Sequence, residues 1–340
     1  MAVFKTNLTK SIIKKIIYEN YGLKVKKIKY VNNGSANLFH LFCDDGDYML
    51  KEYQEKFNDI DIEREYQIYQ HLKFKDHHVP DYAISIVVKI FIIYHDKYIT
   101  LQKYIKGKQG HFNKGNLKEL HDSAVRLTEI INSMRDLEFQ LPNYNLNLFE
   151  SKEIENLNQK YLDLILSTNS KKIKTELFNK KFLLNKIKRI SFYELEKMTI
   201  LNSHGDYTVS QFIYNKDNSI DVVLDFITAK HMPIAWEIIR SYIYIDKKYR
   251  HGKFNIENFI LYVKTINNLL PLNKYDLTYM IYIYYIYLLK STFGYEQYIC
   301  NKRNKKYLRI AKNNYWQCLF FDKNIEFITN RLLKEVPFNE

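Results

Sequence analysis

Apolar residues recur at helical spacing close to the start of the chain, in the stretch "LTKSIIKKIIYENYGLK". Thr9 or Ser11 can cap the first turn of such a helix, and Gly22 can end it in a left-handed conformation. The pattern therefore predicts a helix over residues 9–21. Its apolar side consists of Ile12, Ile13, Ile16 and Ile17.

Residues 24–105 change mainly to the alternation that is typical of strands. Three predicted strands, "KVKKIKYV", "NLFHLFC" and "DYMLKEY", are joined by the turn-forming stretches "NNGSA" and "DDGD". A predicted helix over residues 59–72 follows. Two further strands are predicted in "SIVVKIFIIYH" and "KYITLQKYI", with a break at His95 and Asp96.

Helical periodicity dominates after Gly107, first in "NLKELHDSAVRLTEIINSM" and again through residues 151–198 and 232–335. A predicted hairpin interrupts it, in which "SQFIY" and "DVVLDF" flank the turn "NKDNS". The pattern predicts an α+β protein with two lobes. The first, over residues 1–105, is small and rich in strands, the second, over residues 106–340, is mainly helical, and Tyr104–Gly107 connects them.

Composition narrows the class of protein. With 340 residues, 46% hydrophobic and 26% charged, the chain is long enough for two cores and too apolar to be disordered. The formal net charge of +14 raises the possibility of nucleic-acid binding, which would show a steep salt dependence. The lysines, however, are scattered along the whole chain. We therefore expect no specific nucleic-acid partner.

Three further features of the sequence bear on the location of the protein. The longest apolar run, residues 280–289, is too short to cross a bilayer and predicts a buried, tyrosine-rich helix. The first ten residues lack the apolar core of a signal peptide. Cys43, Cys300 and Cys318 have no paired spacing, so we expect neither a zinc site nor a disulfide framework. These features predict a cytoplasmic protein with no membrane partner.

Four residues fit the requirements of phosphoryl transfer, which needs a cation on the phosphates, carboxylates for Mg²⁺ and an aspartate for the attacking hydroxyl. Lys51 lies on the third predicted strand, and Glu65 on the following helix can pair with it, although the neighbouring Glu63 is an open alternative. Asp206 lies in the irregular stretch "HGDYTVSQ", and Asp225 follows the hairpin in "LDF". We expect the hairpin to return Asp225 to the end where Asp206 lies.

The order of these motifs resembles the aminoglycoside phosphotransferase and choline kinase family, which has the protein-kinase-like fold. The resemblance covers residues 24–245, from "NNGSANLFHLF" through "LQKYIKG" and "HGDYTVSQFIY" to "MPIAWEIIRSY". It implies a kinase that uses ATP and Mg²⁺ to phosphorylate a hydroxyl of a small molecule. The acceptors of this family include aminoglycosides, macrolides, choline, homoserine and sugars.

The resemblance also assigns roles to residues. Asp206 would be the catalytic base, Asp225 a Mg²⁺ ligand, and Lys51 the cation on the α- and β-phosphates, held by Glu65. The remaining assignments are these: the backbone around Lys103 and Ile105 would meet the adenine, the loop of Gly34, Ser35 and Ala36 would cover the phosphates, and His204 and Glu237 would brace the catalytic loop.

One position departs from the family pattern. Where the family usually has Asn as the second metal ligand, this chain has Gln211, which keeps the amide oxygen but adds a methylene group. A catalytically silent kinase-fold protein with a binding or structural role is therefore the alternative hypothesis. Residues 275–340 are basic and aromatic, which favours a neutral, apolar or anionic acceptor over a polycation.

Overall fold

The fold is described from a computed structural model, which describes residues 6–31, 36–110, 115–146, 154–187, 190–246 and 253–338. The chain forms two compact units. The first comprises residues 1–112, 133–139 and 208–229, and the second comprises residues 113–132, 140–207 and 230–340. The hairpin that follows the Asp206 loop in sequence therefore belongs to the same unit as the N-terminal strands.

The first unit begins with helix α1 (Lys10–Tyr21), whose Thr9 side chain accepts the N–H of Ile12 and which ends at Gly22 with φ +68°. Its five-stranded antiparallel sheet has the order β1-β2-β3-β5-β4. The strands are β1 (Val25–Val31), β2 (Asn37–Cys43), β3 (Asp47–Glu52), β4 (Phe91–Tyr94) and β5 (Lys97–Lys103).

Helix α2 (Asp59–Phe74) connects β3 to β4 and begins with a capping box between Asn58 and Asp61. Ile13 and Ile17 of α1 pack with the alternate buried positions of the sheet, such as Leu41 and Leu50, into one core. This arrangement places Lys51 on β3 and Glu65 on α2 within one unit.

A second, three-stranded sheet completes the first unit, with the order β6-β8-β9. Its strands are β6 (Lys108–Gln109), β8 (Phe212–Tyr214) and β9 (Ile220–Val223). Gly107, just before β6, approaches β8 so closely that an added Cβ would lie 2.2 Å from a methyl carbon of Ile213. Only glycine fits at this point of the connecting segment.

The second unit is mainly helical, with one two-stranded antiparallel ribbon of β7 (Ile200–Ser203) and β10 (Lys230–Pro233). Among its residues, α9 is buried along most of its length, as predicted for residues 280–289. The helices of this unit are α3 (Leu117–Ser133), α4 (Ile154–Leu166), α5 (Lys171–Lys186), α6 (Phe192–Glu196), α7 (Ile234–Ile245), α8 (Ile256–Leu269), α9 (Lys274–Lys290), α10 (Tyr295–Cys300) and α11 (Lys305–Glu335).

The structure corrects one predicted strand. Within "SIVVKIFIIYH" only Phe91–Tyr94 is a strand. The preceding residues form a turn in which the Ser85 N–H donates to the Lys89 carbonyl at 2.9 Å and the Val88 N–H donates to the Ser85 carbonyl at 2.8 Å. The Ile86 N–H donates to the Asn20 carbonyl at 2.7 Å. Ile86, Val87 and Val88 are exposed, and the apolar run does not join the sheet.

Candidate active site

Lys51 and Glu65 form a buried ion pair in the first unit. The Lys51 Nζ lies 3.1 Å and 3.2 Å from the two carboxylate oxygens of Glu65. Strand β3 presents the lysine inward, and α2 presents the glutamate as one of its buried residues. Glu63 is exposed on another side of α2. Of the two alternatives left open by the sequence, the partner of Lys51 is therefore Glu65.

Two tyrosine hydroxyls complete the surroundings of Glu65. Tyr53 donates to its carboxylate at 2.6 Å and Tyr82 donates at 3.2 Å. Burial and the negative charge of Glu65 both raise the pKa of these two tyrosines well above the ordinary value. They therefore remain donors over the whole physiological pH range, which keeps the buried carboxylate satisfied.

The charge on Lys51 is set by competing effects. Burial lowers its pKa, but the carboxylates of Asp225 and Glu65 outweigh burial, so the pKa of Lys51 is raised above its ordinary value. The contact with Asp225 is short, 2.6 Å between Nζ and Oδ1. Lys51 therefore stays protonated and forms ion pairs with two carboxylates.

Asp225 follows β9 directly and adopts a left-handed conformation, with φ 69° and ψ 59°. The hairpin closes beside it, because the Leu224 N–H donates to the Gln211 carbonyl at 2.9 Å. The Nε2 of the Gln211 side chain donates to the second carboxylate oxygen of Asp225 at 3.4 Å. The hairpin therefore brings an amide and a carboxylate together, although they are 14 residues apart in sequence.

A cavity in the first unit joins these groups. It is lined by both polar and apolar side chains: Val31, Ala36, Leu38, Met49, Lys51, Tyr69, Gln102, Gln109, Ser210, Gln211, Leu224 and Asp225. The predicted loop residues Gly34 and Ser35 lie outside the described residues, whereas Ala36 borders the cavity.

A second cavity shares Met49, Gln102 and Leu224 with the first and also contacts Lys103 and Ile105. The Lys103 N–H donates to the Asp81 carbonyl at 2.7 Å. The N–H of Ile105, by contrast, has no hydrogen-bond partner among the residues that the structure describes. An apolar slot with an unused peptide donor at its edge suits a flat heterocycle with an acceptor nitrogen.

The Asp206 loop lies in the second unit and is organised by Glu237 of α7, which is fully buried. The glutamate accepts the N–H of Gly205 at 2.5 Å, the N–H of Tyr207 at 3.2 Å and the hydroxyl of Ser203 at 3.1 Å. Inside the loop, the Asp206 N–H donates to Nδ1 of the buried His204 at 3.2 Å. A positive φ of 77° at Gly205 allows this tight path.

Arg240, one turn after Glu237 on α7, forms an ion pair with Asp206. It also donates to the Gly205 carbonyl at 3.0 Å. Burial lowers the pKa of Arg240, but the Asp206 carboxylate outweighs burial and raises it. The side chain of Asp206 is 38% exposed, so its carboxylate is held by the arginine and still reaches solvent.

Sequence reasoning did not single out Arg240, Tyr69 or Gln102. Arg240 could have been found from its spacing, because it follows Glu237 by three residues and lies on the same face of a helix. Tyr69 follows Glu65 by four residues and lines the cavity that Lys51 and Asp225 also line. Gln102 directly precedes Lys103 on β5 and is one of the buried residues of that strand.

The described residues show neither a metal-ligand cluster nor a membrane span. They contain no group of three or more His, Cys, Asp and Glu side chains arranged to hold a metal ion. Across the same ranges, every helix falls short of the length and apolar character that a bilayer span requires.

Comparison with known proteins supports the fold. No family model and no curated protein sequence matches this chain. Solved structures do match, among them an aminoglycoside phosphotransferase from Alicyclobacillus acidocaldarius, with a TM-score of 0.67, 12% identity and coverage of 97% of both chains.

Two other matches belong to different phosphotransferases. An amicoumacin kinase in complex with AMP-PNP and Ca²⁺ has a TM-score of 0.62 and 11% identity, over 98% of this chain and 96% of that one. A choline kinase from Cryptosporidium parvum has a TM-score of 0.59 and 13% identity, over 96% and 99% of the two chains. The chain therefore has the protein-kinase-like fold, as its sequence motifs predict.

Proposed function

We propose that this chain is a kinase that uses ATP and Mg²⁺ to phosphorylate a hydroxyl group of a small molecule. The observation that supports it best is the group formed by Lys51, Glu65 and Asp225, in which a buried lysine is shared between two carboxylates beside a cavity. A cation and a carboxylate at one cavity wall are what a metal-nucleotide complex needs.

Two side chains of the first cavity match the ligands that Mg²⁺ requires. Mg²⁺ prefers oxygen donors and keeps several waters and phosphate oxygens among its ligands. Asp225 supplies carboxylate oxygens, and Gln211, whose Nε2 donates to Asp225, would supply its amide oxygen on the same cavity after rotation of the amide group. These two residues fit the ion and would hold it. When bound, the ion would neutralise charge on the phosphate oxygens.

The other residues of the first unit would bind the nucleotide. Lys51 would donate to phosphate oxygens while Glu65 keeps it in place. The free N–H of Ile105 would donate to a ring nitrogen of the adenine, with Lys103 beside it. The loop of Gly34 and Ser35 would cover the phosphates, as the resemblance implies.

Asp206 would act on the acceptor. In the transfer, the acceptor oxygen bonds to the γ-phosphorus while the bond from that phosphorus to the β,γ-bridging oxygen breaks, and ADP leaves. The proton of the acceptor hydroxyl passes to the Asp206 carboxylate. Arg240 keeps one oxygen of Asp206 engaged, which leaves the other for this proton.

The surroundings of Asp206 favour a neutral or apolar acceptor. Trp236 contacts Tyr287 at 5.0 Å and Tyr284 at 5.8 Å between ring centroids, and Tyr287 is 38% exposed. The charged groups that act on Tyr287 are Arg240 and Asp206, which already neutralise each other. Because the Asp206 carboxylate is already paired with Arg240, it offers a polycation little net attraction, so a neutral hydroxyl compound is the better fit.

The test is release of ADP from Mg-ATP with a panel of acceptors: aminoglycosides, macrolides, choline, homoserine, nucleosides and sugars. Each acceptor is run with the wild type, Asp206→Asn and Asp225→Asn. Turnover with one class that both substitutions abolish supports the proposal. Absence of any nucleotide binding by the wild-type protein would contradict it and favour the silent, binding or structural alternative.

A further inference from the structure

The backbone of Asp225 is held by a tyrosine. The Asp225 N–H donates to the Tyr69 hydroxyl oxygen at 2.8 Å. The Tyr69 ring also packs edge to face on Phe226, the next residue, with 5.5 Å between ring centroids. Tyr69 is buried, with 1% of its surface exposed, so this bond is shielded from competing water.

This hydrogen bond is made by a residue whose backbone conformation is intrinsically unfavourable. Asp225 has a positive φ of 69°, which a non-glycine residue adopts only when its surroundings hold it there. Asp225 is also the start of a short 3-10 turn, Phe226–Thr228, to which its side chain makes no capping bond. The direction of the carboxylate therefore depends on the groups that hold its peptide, and Tyr69 is one of them.

Helix α2 links this bond to the lysine pair. Glu65 and Tyr69 lie four residues apart and so occupy the same face of the helix, one turn from each other. Glu65 accepts from Lys51, and Tyr69 accepts from the peptide of Asp225, while Lys51 and Asp225 contact each other directly. One helical face therefore fixes both groups that would meet the metal-nucleotide complex.

We propose that Tyr69 is a positioning residue for Asp225: its hydroxyl holds the peptide of the metal-binding aspartate in the left-handed conformation that aims the carboxylate into the cavity. This inference rests on the proposed function, because it takes Asp225 as a metal ligand. It goes further because it assigns the orientation of that ligand to α2, through a residue that itself lines the cavity.

The chain offers a matched control. Tyr69→Phe and Tyr53→Phe each remove one hydroxyl from a buried tyrosine, with exposures of 1% and 2%. The Tyr69 hydroxyl accepts a hydrogen bond from the Asp225 N–H, whereas the Tyr53 hydroxyl donates to Glu65 at 2.6 Å. A general loss of packing or stability would affect both variants, but only Tyr69→Phe should affect the metal-binding aspartate.

The experiment measures ADP binding by calorimetry for the wild type and both variants, once with Mg²⁺ and once with EDTA. Mn²⁺ bound in the ADP complex is followed separately by electron paramagnetic resonance. A hydrogen bond contributes about 0.5–1.5 kcal/mol net, which corresponds to a roughly 2- to 12-fold change in affinity. We expect Tyr69→Phe to lose this factor in Mg-ADP affinity and Mn²⁺ occupancy, and to keep wild-type affinity for ADP in EDTA.

Four other outcomes overturn the inference. Equal Mg-ADP affinity in Tyr69→Phe and the wild type would show that the hydroxyl does not aim Asp225. Equal losses with Mg²⁺ and with EDTA, or the same pattern in Tyr53→Phe, would indicate a general structural role. A wild-type protein that binds no ADP under either condition would overturn the proposed function itself, which the wild-type measurement alone distinguishes.

Discussion

Arg240 holds Asp206 and the peptide that precedes it at the same time. One guanidinium nitrogen pairs with the Asp206 carboxylate, and the other donates to the Gly205 carbonyl at 3.0 Å. The planar fork of arginine fixes both partners in one orientation, which a lysine cannot do. The direction of the Asp206 carboxylate is therefore determined from α7, the helix that also organises the loop through Glu237.

Replacing this arginine should impair turnover more than it impairs folding. We expect Arg240→Met to lower kcat by roughly 10- to 100-fold, a part of the effect of general base catalysis, because Asp206 keeps its chemistry but loses its orientation. Arg240→Lys should recover only part of the loss, since it keeps the charge without the fork. Steady-state kinetics with the acceptor found in the panel measures this.

The control for that experiment is the affinity for Mg-ADP, which should stay unchanged in both variants. Unchanged kcat in Arg240→Met would contradict a positioning role for the arginine. An equal loss in Arg240→Lys and Arg240→Met would indicate that the fork, and not the charge, is what matters.

Glu237 should be a large contributor to the stability of the Asp206 loop. Its carboxylate accepts three hydrogen bonds in a fully buried position. Glu237→Gln turns one acceptor oxygen into an NH₂ group that faces backbone donors, and we expect a loss of about 2 kcal/mol in the free energy of unfolding. Urea unfolding followed by circular dichroism measures it.

Glu257→Gln is the matched control for this substitution. Glu257 pairs with an arginine, Arg331, but its side chain is 74% exposed, so the change should stay below about 1 kcal/mol. Similar losses for Glu237→Gln and Glu257→Gln would contradict the bracing role of Glu237.

The sequence predicted those parts of the site that follow from motif order. Lys51 precedes Glu65 on a strand-to-helix unit, and Asp225 closes a recognisable hairpin, so local patterns suffice to place them. The choice between Glu63 and Glu65 required the structure, because the charged first turns of α2 give no clear apolar face. Glu65 points inward because the buried face of α2 packs, through Ile62, against Tyr53 and Ile227.

Contacts between distant segments could not be predicted in this way. Strands β7 and β10 are four residues each, with the sequences "ILNS" and "KHMP", too short and too mixed to show alternation. They were missed, and residues 232–233 of β10 fell inside a predicted helical region. Tyr69 had a role that depends on a bond to Asp225, 156 residues later, which no local pattern encodes.

Gln211 gives a direct test of the departure from the family pattern. Its amide lies 3.4 Å from Asp225, at the edge of hydrogen-bonding distance. Gln211→Asn withdraws the amide by about one C–C bond, roughly 1.5 Å. On this backbone we expect the shorter side chain to lose contact with the metal site, so that Mg-ADP affinity falls about as much as in Gln211→Ala.

Calorimetry with Mg-ADP, with ADP in EDTA as the control, measures both Gln211 variants. Tighter Mg-ADP binding by Gln211→Asn than by the wild type would mean that the backbone here favours the family's usual asparagine. In that case the glutamine would be a weaker ligand rather than an adapted one.

Lys180 should make stability depend on pH in the alkaline range. It is 1% exposed, its Nζ donates to the Ser291 carbonyl at 2.5 Å, and burial lowers its pKa below the ordinary lysine value. A lowered pKa in the folded state means that the unfolded chain binds more protons, so stability rises with pH between the folded and unfolded pKa values. Below that window the wild type bears the full cost of a buried charge.

Lys180→Met removes this titration while keeping the length of the side chain. We expect the free energy of unfolding of the wild type, relative to Lys180→Met, to increase as pH approaches about 10.4, by at most about 1.4 kcal/mol per pH unit. Urea unfolding of both proteins between pH 7 and pH 10 measures the difference, and tyrosines with raised pKa values cancel because both proteins contain them. The lost bond to Ser291 changes only the offset between the two curves, so a difference that stays constant with pH would show that Lys180 titrates as an ordinary lysine.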